Sequence, residues 1–150
     1  MNGRERVIRD EIHRDIFVPS AHSTIIDTPE FQRLRAIQQL STCEYVFPAA
    51  THNRFAHSLG AYHLAGTLAQ HLNDVHPGLM SDEDVELVQL AALLHDIGHP
   101  PYSHLLETPR VYATFDSHEA WGRRILESSQ TELGRAVRSE EHTSELQSPD

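Results

Sequence analysis

The chain has no lysine, one cysteine and no long apolar run among its 150 residues. Cys43 alone cannot form an internal disulfide, and no CxxC pair indicates a zinc ribbon or a redox motif, so we expect Cys43 to be a buried small residue. No apolar run approaches the roughly 18 residues that a membrane span needs. The charged start, MNGRERVIRD, has no apolar segment behind it of the kind that signal peptides carry, so we expect a cytoplasmic protein.

The net charge of the chain limits the kinds of partner that it can bind. Twelve arginines stand against 22 acidic residues, which gives a formal net charge of −10. This balance argues against strong nucleic-acid binding, because such binding depends on basic side chains that displace counterions. Arginine suits bidentate contacts with phosphate in a local pocket, although the same bias is typical of a GC-rich genome.

The periodicity predicts an all-α fold with a possible short β-hairpin at the amino terminus, within VIRDEIHRDIFVPS. Thr28 and Pro29 have the form of a helix start, and apolar residues at three-residue spacing predict one helix through DTPEFQRLRAIQQL. A second helix is predicted from about Arg54 to Asn73. SDED at 81–84 has the form of a capping box. The helix that follows it, through LVQLAALLHD, is apolar nearly all round, which predicts a central position. Ser117 is expected to cap one more helix.

The segment LLHDIGHPPYSH contains the strongest candidates for metal-binding side chains in the chain. His95 and Asp96 come at the end of the apolar helix, where Gly98 lets the chain turn, and His57 lies just inside the helix before it. Imidazole nitrogen and carboxylate oxygen together suit a divalent metal. The alternative is that His95 offsets the helix dipole and Asp96 makes a turn hydrogen bond, but the apolar run and the neighbouring histidines favour a metal site.

Three stretches resemble one family in order and spacing: IIDTPEFQRLRAIQQL, YVFPAATHNRFAHSLGAYHLAG and HDIGHPPYSHLLE. The chain resembles the HD-domain phosphohydrolases from about Ile25 to Leu126, and within them the deoxynucleoside triphosphate triphosphohydrolases. The resemblance implies an HD-domain helical bundle in which His57, His95 and Asp96 bind the metal. The family's last aspartate ligand is not matched in this sequence.

The resemblance also implies roles for residues around the metal. The catalytic residues would be His104, His118 and Glu119, with His104 as the general acid. The substrate-binding residues would be Arg54, His99 and Glu107.

The implied reaction is hydrolysis of a deoxynucleoside triphosphate to a deoxynucleoside and inorganic triphosphate. The implied cofactor is a divalent metal (Fe, Mn, Zn, Co or Mg), and the implied full-length protein is a homo-oligomer. Two alternatives remain open. One is a phosphohydrolase of the same type that acts on another nucleotide phosphate ester, and the other is a nucleotide-binding regulatory module without turnover.

The end of the chain has a different character. RSEEHTSELQS, at 138–148, has no apolar period and resembles the in-frame translation of a sequencing-library adapter. We therefore divide the chain into an N-terminal extended or hairpin segment (1–24), the N-terminal part of an HD domain (25–137) and a disordered non-native tail (138–150). A chain cut in this way, without the last ligand, is expected to be inactive.

Overall fold

The chain opens with a β-hairpin in the computed structural model, which describes residues 5–102 and 116–147, with side chains up to Ser139. Strands β1 (Arg6–Asp10) and β2 (Arg14–Val18) pair antiparallel, with Ile8 opposite Ile16. The Asp10 carboxylate accepts hydrogen bonds from the amides of Ile12 and His13, which closes the turn. Because side chains alternate across a strand, Ile16 and Val18 face the core. The predicted hairpin is confirmed.

Two short helices follow, α1 (Ser20–Ile26) and α2 (Pro29–Gln32). Thr28 and Pro29 occupy the N-cap and the first turn, as predicted. The chain then tightens into a 3₁₀ turn (Arg33–Ala36) and becomes extended at Ile37. The Ile37 carbonyl accepts the amide hydrogen of Arg54, so pairing with a distant segment draws the chain out of the helical conformation.

Helices α3 (Arg54–Val75) and α4 (Asp82–Leu94) pack against each other. The Asn53 side chain accepts from the amide of Ala56 at the start of α3. Ser81 and Asp84 form the predicted capping box, with each side chain accepting from the other residue's amide. Each cap satisfies amides that a helix start would otherwise leave unpaired.

The predicted central position of α4 is wrong over most of its length. Leu93 and Leu94 are buried, but Leu87 is 66% exposed and Val88 is exposed as well. An apolar pattern shows only that a helix face can be buried. In the described part of the chain, nothing covers the face of α4 that carries Leu87 and Val88. The prediction for Cys43 is also wrong: it lies exposed in a 3₁₀ turn (Cys43–Tyr45).

Helices α5 (His118–Glu127) and α6 (Glu132–Gln147) close the described structure. Ser117 caps α5 by accepting from the amide of Ala120, as predicted. The carboxylate of Glu30 accepts from the amides of Glu132 and Leu133, which ties the start of α6 to α2.

The backbone of α6 runs on into the segment that was expected to be disordered, so for residues 138–147 that expectation is wrong. Glutamate, leucine and glutamine are good helix formers, and a helix that has already begun at Glu132 adds residues at little cost. Residues 148–150 lie outside the described part, and the division of the chain at residue 138 stays a prediction.

The core joins the hairpin to the helices, which confirms the all-α fold with a small hairpin. Its buried members come from β2, from the segment between α1 and Ile37, from α3, from the end of α4 and the turn after it, and from the start of α6: Ile16, Val18, Ile25, Ile26, Phe31, Leu34, Ile37, Phe55, Leu59, Tyr62, Leu93, Leu94, Ile97 and Leu133. Among the described helices, none combines the length and apolarity required to cross a membrane.

Candidate metal centre

Two helix ends bring the predicted metal ligands together. His57 lies in the first turn of α3, and His95 caps the carboxyl end of α4 with Asp96 directly after it. One donor atom from each residue lies within 4.8 Å of the others, and this is the one such group of three or more in the described part of the chain. The sequence prediction that these side chains converge is confirmed.

The histidines present ring nitrogens suited to a metal. Nδ1 of His95 lies 2.7 Å from the carbonyl oxygen of Ala92, and because a carbonyl can only accept, Nδ1 carries the hydrogen. Nε2 of His95 is then left with a lone pair, 3.2 Å from Nε2 of His57. Burial lowers the pKa of His57, with His95 and Arg54 adding to the effect against the opposing pull of Asp96. A lowered pKa favours the neutral imidazole, which is the form that binds metal.

The Asp96 carboxylate is buried and held from two sides. Oδ2 accepts from Nη1 of Arg54 at 2.6 Å and from Nε2 of Gln39 at 3.3 Å. Oδ1 lies 3.2 Å from Nε2 of His99. Burial by itself would raise the pKa of Asp96, but the hydrogen bond from His99 and the nearby positive charges hold it well below its usual range. Asp96 is therefore an oriented anion.

The donor set fits a divalent transition metal. Two imidazoles and one carboxylate are ligands that iron, manganese, cobalt and zinc accept. Outer hydrogen bonds of the kind that His95 donates to the Ala92 carbonyl, and that Arg54, Gln39 and His99 donate to Asp96, fix the orientation of metal ligands in known sites. Three protein ligands leave coordination positions for water or substrate.

Gly98 brings the start of α5 onto this group. A side chain at Gly98 would overlap the backbone of His118 and Gly122, so only glycine allows the close approach. The rings of His99 and His118 stack at 3.7 Å between centroids. Nε2 of His118 lies 3.1 Å from Oε1 of Glu119. A chain of polar groups thus runs from Asp96 through His99 to His118 and Glu119.

Comparison with known proteins decides the family. The family model of the HD domain matches residues 54–147, which is more than half of the chain. The chain belongs to the HD domain family.

Relatives of this HD domain include enzymes and an uncharacterized protein. The human deoxynucleoside triphosphate triphosphohydrolase SAMHD1 is 52% identical over 103 residues, which cover 68% of the chain and 16% of that relative. The bovine enzyme of the same name is 50% identical over 103 residues, 68% of the chain and 18% of the relative. An uncharacterized protein of Methanocaldococcus jannaschii is 46% identical over 119 residues, 79% of the chain and 23% of the relative. The chain thus spans less than a quarter of the length of each.

The other predicted site residues of the HD domain fall into two groups. Arg54 is buried and pairs with Asp96, so in this structure it contacts a predicted metal ligand directly. His99, His118 and Glu119 lie next to the metal group, as described above. His104 and Glu107 lie outside the described residues, and their roles stay predictions.

Sequence reasoning missed two side chains at the site. Gln39 donates to Asp96, and Arg33 donates to backbone carbonyls of the turn after Asp96. Both lie in the segment that was predicted to be one continuous helix, where polar side chains are usually solvated. Their position in the stretch IIDTPEFQRLRAIQQL, which resembles the family, was the available signal.

Proposed function

We propose that the HD domain in this chain is the metal-binding part of a phosphohydrolase that converts a deoxynucleoside triphosphate to a deoxynucleoside and inorganic triphosphate. The observation that carries the proposal is the convergence of His57, His95 and Asp96 beside the stacked rings of His99 and His118. Two relatives named for this reaction, at 50% and 52% identity, support the choice of substrate. The chain covers only a small part of those relatives, so the substrate is part of the proposal.

A bound metal would supply the main positive charge that faces a phosphate at this site. A divalent metal bound by the three ligands would polarise a phosphoryl oxygen and lower the pKa of a bound water. Arg54 holds Asp96 as an anion, and its own positive charge is offset by that carboxylate. His99 contacts both Asp96 and His118, so it helps to orient these two side chains.

Proton transfer is assigned to two histidines outside the ligand set. The Glu119 carboxylate lies beside Nε2 of His118. It can stabilise the protonated form of that ring or accept a proton from it. His104, placed by sequence resemblance alone, is the proposed general acid that protonates the 5′-oxygen as the deoxynucleoside leaves. The bond that breaks is then the one between that oxygen and the α-phosphorus.

Product analysis tests the proposal. The chain, and the full-length gene product that contains it, are incubated with each deoxynucleoside triphosphate and Mn²⁺, Fe²⁺, Co²⁺ or Mg²⁺, and the products are separated by anion exchange. The matched control is His95→Ala, which removes a metal ligand. We expect inorganic triphosphate from the full-length protein and none from its His95→Ala variant.

The other outcomes identify the alternatives. Release of orthophosphate or pyrophosphate from the full-length protein would indicate a different phosphate ester as substrate. Nucleotide binding without turnover under every metal would indicate a regulatory module. Equal activity in His95→Ala with unchanged metal content would refute the metal site itself.

A further inference from the structure

Arg33 joins the 3₁₀ turn after α2 to the turn that carries Asp96. Its Nη1 donates to the carbonyl oxygen of His99 at 2.9 Å, and its Nη2 donates to the carbonyl oxygen of Ile97. The two carbonyls flank Gly98, the residue on which the start of α5 rests. One guanidinium therefore spans the 97–99 backbone, against which the start of α5 packs at Gly98.

An arginine suits this contact better than a lysine. The planar guanidinium presents parallel N–H groups that can reach two acceptors at once, whereas an ammonium is a single point of charge. The carbonyls also lie just past the end of α4, the negative end of the helix dipole, where a cation is favoured. Burial lowers the pKa of Arg33, with Glu30 acting against it, and an arginine still remains charged at neutral pH.

The turn held by Arg33 sets three side chains of the site. Asp96 and His99 lie on it and contact each other, with Nε2 of His99 3.2 Å from Oδ1 of Asp96. The ring of His99 in turn stacks on His118. A shift of the 97–99 backbone would therefore move the carboxylate that faces the metal position and the ring that links it to His118.

We propose that Arg33 is a positioning residue of the metal centre, which fixes the Asp96–His99 turn through the two carbonyls without touching metal or substrate. The proposal rests on the metal binding proposed above. Loss of hydrogen bonds behind metal ligands typically weakens metal affinity roughly ten- to a hundred-fold. We expect a loss of that order when the guanidinium fork is removed.

The experiment compares Arg33→Lys with the wild-type chain in a titration with Co²⁺, followed by its visible absorption spectrum. Arg9→Lys is the matched control, because Arg9 lies exposed on the hairpin and pairs only with Asp15 in the described structure. His95→Ala marks the level of binding without the site. We expect weaker Co²⁺ binding and a changed spectrum for Arg33→Lys, and wild-type behaviour for Arg9→Lys.

A second measurement needs no metal. The stacked rings of His99 and His118 should give a nuclear Overhauser contact in the wild-type chain and in Arg9→Lys, and a weaker one in Arg33→Lys. This readout separates local positioning from general stability, which circular dichroism and thermal melting report. If Arg33→Lys does not fold, Arg33→Gln takes its place.

Each result has one meaning. If the wild-type chain binds no more Co²⁺ than His95→Ala, the proposed metal site fails, whatever Arg33 does. If the wild-type chain binds Co²⁺ and Arg33→Lys matches it in affinity, spectrum and ring contact, the positioning role is refuted. If neither Arg33 variant folds while Arg9→Lys does, Arg33 serves the fold as a whole, and the positioning role is refuted as well.

Discussion

Arg54 and Asp96 form a buried ion pair, with 2.6 Å between Nη1 and Oδ2 and side chains 2% and 7% exposed. The pair joins the first residue of α3 to a residue that lies two positions after the last residue of α4. Buried charges are costly to bring out of water, and a pair persists only when each partner compensates the other. The arginine that sequence resemblance assigns to substrate phosphate is therefore also a structural partner of a metal ligand.

Replacing Arg54 by alanine should destabilise the metal-free chain strongly. Asp96 would stay buried with its main cationic partner gone, and breaking a buried pair in this way typically costs about 3 to 5 kcal/mol. Urea denaturation at neutral pH measures the change. The control is Arg124→Ala, which breaks the half-exposed pair with Asp116 and should cost about 0 to 1 kcal/mol. Equal losses for the two variants would show that the Arg54 pair does not stabilise the fold.

Metal should raise the unfolding temperature of the chain, and only while the three ligands are intact. A ligand that binds the folded state alone stabilises it by about 2.7 kcal/mol at a concentration 100 times its Kd. We expect Mn²⁺ or Co²⁺ to stabilise the wild-type chain and a His71→Ala control, since His71 is exposed on α3. His57→Ala and Asp96→Asn should lose this increment. A full increment in either variant would remove that residue from the ligand set.

Gly98→Ala should separate α5 from the metal centre. The added methyl would overlap the His118 carbonyl and the Gly122 amide, both of which belong to the backbone and cannot rotate away. Overpacking of this kind typically costs about 1 to 3 kcal/mol and is relieved only by backbone movement. The expected result is a lower melting temperature together with loss of the contact between the rings of His99 and His118.

The control for that variant is Gly78→Asn. Gly78 has a φ of 79°, and none of the described residues apart from its two chain neighbours has an atom within 4 Å of the position of a side chain there. Asparagine tolerates this conformation better than most residues. The positive φ strains any side chain at this position, so we expect a small loss of stability from Gly78→Asn, below that of Gly98→Ala. A Gly98→Ala variant as stable as this control, with the ring contact intact, would mean that α5 does not depend on the close approach.

Local sequence signals predicted the parts of the structure that local interactions decide. The hairpin and the starts of α2, α4 and α5 follow from turn chemistry and capping side chains that lie within a few residues of each other. The metal group was predictable because a His-Asp pair at a helix end, with glycine behind it, leaves both side chains free to turn inward. These signals do not depend on the rest of the fold.

The residues that support the metal group depend on long-range pairing, which sequence periodicity does not contain. Arg33 and Gln39 reach the Asp96 turn because the chain leaves the helix after Gln32 and pairs Ile37 with Arg54. The exposure of Leu87 was also not predictable from local sequence. The apolar spacing on α4 shows that a face of the helix can be buried, but it does not show which other segment packs on that face. The predicted single helix after Thr28 was therefore too long, and α4 was placed too deep.

The hydroxyl of Tyr62 lies 2.9 Å from Nδ1 of His22. Burial, reinforced by the charge of Glu86, raises the pKa of Tyr62 to about 12. A group that holds its proton more tightly in the folded state stabilises that state fully below the unfolded pKa, and loses the contribution as pH rises towards the folded pKa. The contribution from Tyr62 should therefore be present below about pH 10, the ordinary pKa of tyrosine, and fade towards pH 12.

Urea denaturation across this pH range should show a steeper alkaline loss of stability for the wild-type chain than for Tyr62→Phe. Tyr45→Phe, which removes a phenol that is 83% exposed, serves as the control and should keep the wild-type slope. If Tyr62→Phe kept that slope as well, the alkaline loss would have to come from other groups, and the His22–Tyr62 contact would not discriminate between the two protonation states of the phenol.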